Sequence, residues 1–161
     1  MSVPIYIHDI ISPRQCGILI KAAAPRLKEM KIAKQGNQPH TVIQHTQEFR
    51  FHQDIPETIL LKSIACKLSD TDKAETVKIT KYEEDQFFGP HLDGLNRKGT
   101  LVVFLNAGYA GGQLYFPHYE TTYSPDMPGG GVFWLNTPIS IHEGKQVYGG
   151  EKWIATIWTH Q

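Results

Sequence analysis

The sequence predicts a mainly β (α+β) protein: a double-stranded β-helix core of jelly-roll or cupin-like type, with two N-terminal helices packed on one sheet. Three observations carry that expectation. The N-terminal third holds two segments with helix-start signals and apolar residues at helical spacing. From Val77 onward the chain breaks into short alternating or apolar runs separated by Gly, Pro and Asn, the pattern of an antiparallel sandwich or barrel. Those runs number eight, the count of a jelly roll.

Ile5-Tyr6-Ile7 reads as a short leading strand. Ser12 is placed as an N-cap and Pro13 as the first helical residue, so a helix starts there and carries Cys16, Ile18-Leu19-Ile20 and Ala22-Ala23-Ala24. Pro25 must end or kink it, because proline has no N–H to donate and clashes with the preceding turn. The polar stretch from Gln35 to Gln53, with His40, His45 and His52, has no strong period, and 34–53 is expected to be a mobile loop over a site. Asp54, Pro56 and Glu57 announce a second helix. Its residues Ile59, Leu60, Ile64, Ala65 and Leu68 recur at helical spacing, and Ser69-Asp70-Thr71-Asp72 closes it.

The eight strands are expected at Val77–Tyr82, Gln86–Leu92, Thr100–Leu105, Gly112–Phe116, Glu120–Tyr123, Gly131–Leu135, Ile139–His142 and Glu151–Thr159. Pro128-Gly129-Gly130-Gly131 leads into a strand and no helix follows, so it is a turn and not a phosphate cradle. At 161 residues one core is expected: a single domain over 1–161, with 1–76 as the N-terminal support and 77–161 as the jelly roll.

Lys plus Arg and Asp plus Glu both number 16, a formal charge of zero, which offers no basic field for a phosphate backbone and disfavours nucleic acid as a partner. Met1-Ser2-Val3-Pro4 has no basic signal-peptide start, and no run approaches the ~18 apolar residues of a membrane span, so a cytoplasmic protein with no membrane partner is expected. Cys16 and Cys66 both fall in predicted helices, form no zinc or redox motif, and are expected to be small buried core residues.

The chemistry concentrates in His91-Leu92-Asp93, followed far downstream by His142 and, ten residues later, by Lys152. Residues i and i+2 of a strand share a face, so His91 and Asp93 can turn inward together. His142, at the end of the expected strand Ile139–His142, would supply the third ligand. Two imidazoles and one carboxylate are the facial triad of non-haem Fe(II), which leaves positions open for a bidentate organic acid and O2. Lys152 adds a cation for the far end of that acid. Asp93 fills the position a halide would take if Gly or Ala stood there, which favours hydroxylation or a related oxidation over halogenation.

Around these residues a resemblance becomes specific. Tyr82-Glu83-Glu84-Asp85-Gln86-Phe87-Phe88-Gly89-Pro90-His91-Leu92-Asp93 resembles the prolyl 4-hydroxylase signature YxxxQxFxPHxD. Thr100 to Asn106, Gly111 to Pro117, Ile141 to Gly144 and Gly150 to Trp158 are similar to that family's later strands in order, and Ile5 to Ile20 to its start. The polar segment 34–53 matches least. The resemblance implies an Fe(II)- and 2-oxoglutarate-dependent dioxygenase of that family, using O2, with succinate and CO2 as co-products and ascorbate as a reductant. It implies that His91, Asp93 and His142 bind Fe(II), that Lys152 pairs with the C5 carboxylate of 2-oxoglutarate, and that Tyr82 and Thr100 hydrogen-bond the co-substrate. Lys152, Ile154, Thr156 and Trp158 alternate onto one face of the last strand, so Thr156 and Trp158 are expected to line the same pocket. Phe104 departs from relatives with a tyrosine there, and Lys at 152 in place of Arg points to the prolyl 4-hydroxylase-like branch.

His160 is expected to be structural and His118 solvated, while Arg50, His45 and His52 are candidates to meet a substrate arriving over the metal. That substrate is a prolyl peptide, a free amino acid or a small metabolite. The alternative is a non-catalytic metal-binding or oxygen-sensing module of the same fold, which would have little use for Lys152. Nucleic-acid dealkylation would want a basic groove with stacking aromatics.

Overall fold

The computed structural model describes residues 3–33 and 42–161. In chain order these form β1 (Ile5–Ile7), α1 (Pro13–Ala23), β2 (Lys28–Ala33), β3 (Val42–Arg50), α2 (Pro56–Ser69), β4 (Lys73–Ala74), β5 (Lys78–Tyr82) and β6 (Phe87–His91). They continue as β7 (Arg97–Phe104), β8 (Ala110–Gly111), β9 (Leu114–Phe116), β10 (Thr121–Tyr123), β11 (Gly131–Leu135), β12 (His142–Gly144), β13 (Val147–Gly149) and β14 (Lys152–His160). The main sheet runs β1-β11-β7-β14-β5-β3-β6-β12-β9-β10, with β2 added beside β3, β4 beside β14, and β8 paired with β13 apart from it. Its two ends curl toward each other. The Tyr123 hydroxyl on β10 donates to the Pro4 carbonyl at 2.8 Å, and Tyr6 and Tyr123 stack with centroids 6.5 Å apart, so the sheet is a nearly closed antiparallel barrel.

Alternation along the central strands separates two apolar layers. Leu101, Val103 and Leu105 of β7 and its end, with Trp153, Ala155 and Ile157 of β14, face the helices and meet Cys16 and Leu19 of α1 and Leu61 and Ala65 of α2. Val102, Phe104, Val132, Trp134 and Ile154 face into the barrel. Between those two faces, β7 and β14 are buried on both sides. Ile157 is fully buried, so Ile157→Ala is expected to cost about 2–5 kcal/mol. Ile59→Ala, at a side chain 58% exposed, should stay within about 0.5 kcal/mol, and thermal unfolding of the two variants measures the contrast.

The helix starts follow their local chemistry. Ser12 accepts from the Gln15 N–H at 3.1 Å and Gln15 accepts from the Ser12 N–H at 2.8 Å, a reciprocal capping box ahead of Pro13. At α2 the Thr58 hydroxyl accepts from the Ile55 N–H at 2.9 Å, and Asp54 pairs with Lys62 at 2.9 Å. The helix stops at Asp70, whose left-handed φ of 53° breaks the repeat. Its buried face is only partly the one expected: Ala65 is fully buried and Ile64 and Leu68 pack on the core beside Thr58, Leu61 and Ser69, whereas Ile59 and Leu60 are exposed. The apolar run is dense enough to fit two faces, and packing chooses between them. Cys16 is fully buried, but Cys66 is only half-buried, and both thiols are free.

The main correction concerns the expected loop over 34–53. Residues 34–41, His40 among them, lie outside the described residues, but 42–50 is the strand β3, inserted in the barrel between β5 and β6. The jelly roll therefore extends beyond 77–161 and recruits a strand from the N-terminal part. Gln44 and Thr46 are the buried residues of this strand, joined by a hydrogen bond of 3.0 Å, so its inward side is polar and has no apolar period to betray it. β2, also unexpected, pairs with it. A second correction is at Ile139–His142: residues 138 and 139 form a turn, and the strand begins, not ends, at His142. No helix among the described residues is long and apolar enough to cross a membrane.

Candidate metal centre and the adjoining pocket

His91 is the last residue of β6 and His142 the first of β12, and the antiparallel register sets them directly opposite each other. Asp93 follows two residues beyond the strand end. Its Oδ1 lies 3.3 Å from His142 Nε2 and 3.5 Å from His91 Nε2, and the three ligand atoms fall within 4.8 Å of one another. Both imidazoles are oriented from behind. His91 Nδ1 sits 2.7 Å from the Gly89 carbonyl and His142 Nδ1 2.9 Å from the Ser140 carbonyl. A carbonyl only accepts, so each Nδ1 carries a proton, and a metal bound at the cluster would take the Nε2 lone pairs. Phe88 stacks on His91 at 3.6 Å, and Trp134 packs on His142 at 4.7 Å. Two imidazole Nε2 atoms and one carboxylate, convergent and backed by aromatic rings, fit a non-haem Fe(II) ion.

Asp93 is held from both sides. Burial acts to raise its pKa, but the hydrogen bonds and charges of His142 and His91 outweigh it and keep the carboxyl well below the usual carboxylate range. Oδ2 accepts the Thr100 hydroxyl proton at 2.8 Å; Thr100 accepts from Asn136 Nδ2 at 3.0 Å; Asn136 Oδ1 accepts from the Trp134 indole at 3.1 Å. Arg97 donates to the Asp93 backbone carbonyl at 2.8 Å while its guanidinium forks onto Glu75 at 2.6 and 2.9 Å. His160 joins Glu75 at 2.7 Å, which ties the last strand to the ligand loop.

The cavity beside this cluster runs down the barrel and is lined by Tyr82, Thr100, Lys152, Thr156 and Trp158, with apolar walls from Val102, Phe104, Leu114 and Ile154. Lys152 is 1% exposed, and among the described residues no carboxylate pairs with it. Its ammonium donates to the Gly112 carbonyl at 2.8 Å and lies 4.3 Å from the centre of the Tyr82 ring. Gly112 has φ +69°, and a Cβ there would stand 3.2 Å from the lysine stem, so this close approach requires glycine. Burial lowers the Lys152 pKa to about 7 and raises that of Tyr82, which stays a phenol able to donate.

A family model described as the 2OG-Fe(II) oxygenase superfamily matches residues 77–160, the stretch that holds the three convergent ligands and Lys152. The chain belongs to that superfamily. It is a prolyl 4-hydroxylase-like, 2-oxoglutarate-dependent dioxygenase, a class that uses Fe(II), 2-oxoglutarate and O2.

The oxygenase is 26% identical to prolyl 4-hydroxylase 1 of Arabidopsis thaliana over 194 residues, covering 98% of this chain and 68% of the relative. A putative prolyl 4-hydroxylase of Acanthamoeba polyphaga mimivirus is 24% identical over 179 residues, covering 96% and 73%. In fold, it superposes on a viral collagen prolyl hydroxylase from Paramecium Bursaria Chlorella virus-1 in a 2OG complex with TM-score 0.74 and 20% identity, over 96% of this chain and 94% of that one. A Trichoplax adhaerens prolyl hydroxylase, in complex with a hypoxia inducible factor peptide fragment, superposes with TM-score 0.70 and 14% identity, over 98% and 83%.

The structure of the oxygenase gathers His91, Asp93, His142, Lys152, Tyr82, Thr100, Thr156 and Trp158 around one cavity, while His118 is exposed on a turn and His45 pairs with Glu29 at 3.1 Å on the hairpin. Thr100 has its hydroxyl proton committed to Asp93, a contact the sequence reading did not anticipate. Arg97, Glu75, Asn136 and Trp134 were missed altogether. Asn136 follows a strand and reads as a turn residue; only the β11–β7 register, which pairs Trp134 with Thr100, brings it to the site. Outer hydrogen-bond partners of metal ligands are typically worth about 10- to 100-fold in affinity, so Thr100→Val, which removes the donor to Asp93 Oδ2, is expected to weaken Fe(II) binding by about tenfold. Anaerobic calorimetric titration measures it.

Proposed function

We propose that this oxygenase hydroxylates an unactivated C–H of a prolyl residue within a peptide, with His91, Asp93 and His142 holding Fe(II) and Lys152 holding the C5 carboxylate of 2-oxoglutarate. The observation that carries the co-substrate assignment is Lys152 itself: a buried ammonium with one carbonyl and one ring for company. Burying an unpaired charge is expensive, and a dicarboxylate reaching down the cavity would supply the missing anion. A non-catalytic metal-binding or oxygen-sensing module would carry that cost without a use for it. Peptidyl proline is favoured over a free amino acid or small metabolite by the prolyl hydroxylase names of the relatives and by the peptide held in the Trichoplax adhaerens structure.

When bound, the iron supplies O2 activation coupled to decarboxylation of 2-oxoglutarate to succinate and CO2, with ascorbate as a reductant. The chain does the rest. The Gly89 and Ser140 carbonyls hold the Nδ1 protons and so turn both Nε2 atoms to the metal position, Thr100 and Arg97 fix Asp93, and Lys152 with the Tyr82 phenol would hold the far carboxylate of the co-substrate. Val102, Phe104, Leu114 and Ile154 keep water from the cavity between them. The test is succinate release by anaerobically reconstituted Fe(II) protein given 2-oxoglutarate and O2, run with a pool of proline-containing peptides and a pool of free amino acids. Stimulation by the peptide pool supports the proposal; stimulation by amino acids alone replaces the substrate. No succinate, even uncoupled, from protein shown to hold iron would point to the binding module.

A further inference from the structure

We propose that the cleft on the β2–β3 hairpin docks acidic residues flanking the target proline, so that the substrate is an acidic peptide. This deepens the reading above and rests on it for the proline. The cleft encloses about 440 Å³ and is lined by Arg26, Lys28, Arg50 and His52, with Met30 and Phe49 as its apolar footing. Its single acid, Glu48, is already engaged by Lys78 at 3.2 Å, with side chains 11% and 8% exposed. Among the described residues no carboxylate forms an ion pair with Arg26, Lys28 or Arg50. Because the whole chain has a formal charge of zero, this excess of cations is a local feature and not a share of a general basic field.

The cleft adjoins the catalytic cavity. Lys78 lines that cavity, and the Lys78–Glu48 pair forms the partition between the two. Arg50 stands opposite Lys78 in the strand register, and its guanidinium lies 5.4 Å from the ring of Trp158, another cavity-lining residue. An extended peptide with its proline at the metal could therefore run over Trp158 and Arg50 into the cleft. There, carboxylates would find unpaired cations, and aliphatic stems would find Phe49, over which Arg26 packs at 5.6 Å.

Fluorescence anisotropy on the metal- and 2-oxoglutarate-loaded protein under anaerobic conditions tests this without turnover. The probes are a labelled proline-containing peptide with aspartates beside the proline, its asparagine counterpart, and a labelled single-stranded oligothymidylate. The aspartate peptide is expected to bind about tenfold tighter than the asparagine peptide, with the advantage shrinking as salt is raised. That ratio should collapse toward one in Arg50→Glu and in Lys28→Glu, the latter at an exposed strand position that tolerates the change. Equal affinity of the two peptides for the wild-type protein overturns the proposal, as does an oligothymidylate that binds as tightly as the aspartate peptide. If the aspartate peptide binds selectively yet no peptide is ever hydroxylated, the prolyl reading fails and the acidic cleft stands.

Discussion

His142→Ala is expected to abolish measurable Fe(II) binding and, with it, 2-oxoglutarate turnover. The ligand cluster has three donors, and His142 is the one delivered by a different strand from the other two, 3.3 Å from Asp93. Losing an outer partner of a metal ligand costs about 10- to 100-fold in affinity, and losing the donor itself should exceed that range. The ring is also packed by Trp134 and Phe116, so alanine leaves a void and some loss of stability. Anaerobic calorimetry with Fe(II), set beside a melting curve of the variant, separates the two effects. A folded His142→Ala protein that still binds iron within tenfold of the wild type would remove this residue from the metal site.

Lys152→Ala should leave iron binding nearly intact while raising the apparent KM for 2-oxoglutarate by roughly 100-fold, as expected for truncating one member of a buried charge pair worth about 3 kcal/mol. The pH dependence gives an independent check. Burial lowers the Lys152 pKa to about 7 in the protein without co-substrate, and a carboxylate beside the ammonium would raise it again. Above pH 7 the wild-type protein should therefore take up a proton on binding 2-oxoglutarate, and its affinity should fall as pH rises. Folding runs the other way. The unfolded chain, with lysine near 10.5, binds more protons than the native state between about pH 7 and that value, so this residue's penalty on stability is relieved as pH climbs through the window. Titrations in buffers of differing ionisation enthalpy report the proton directly, and Lys152→Ala should show none of this uptake. An unchanged KM in that variant would exclude the residue from co-substrate binding.

Much of the site was legible because its signals are local. The i, i+2 spacing of His91 and Asp93 and the alternation of Lys152, Ile154, Thr156 and Trp158 follow from the pleat of a strand, whatever surrounds it. The α1 start, with its Ser12, Pro13 and Gln15, is equally self-contained. β3 was invisible for the converse reason. Its buried residues Gln44 and Thr46 are polar, and they are tolerable inside only because they bond to each other and because Glu48 is met by Lys78 from β5. The face of α2 was misjudged at Ile59 and Leu60 because Ile59, Leu60, Leu61 and Ile64 permit two helical stripes, and the contact with the sheet selects the one through Leu61 and Ala65.

Strand period, caps, turn residues and the donor chemistry of two histidines and an aspartate are properties of neighbouring residues, and these carried the mainly β architecture and the ligand set. The strand register is a property of distant residues, and it alone set His142 against His91, Asn136 beside Thr100, and Arg97 with Glu75 under the Asp93 loop. It also enclosed Lys152 away from every carboxylate among the described residues, which turned an ordinary surface-type cation into a buried one. Long-range pairing arises from closing a sheet on itself, and no local pattern encodes which residues that closure will bring together.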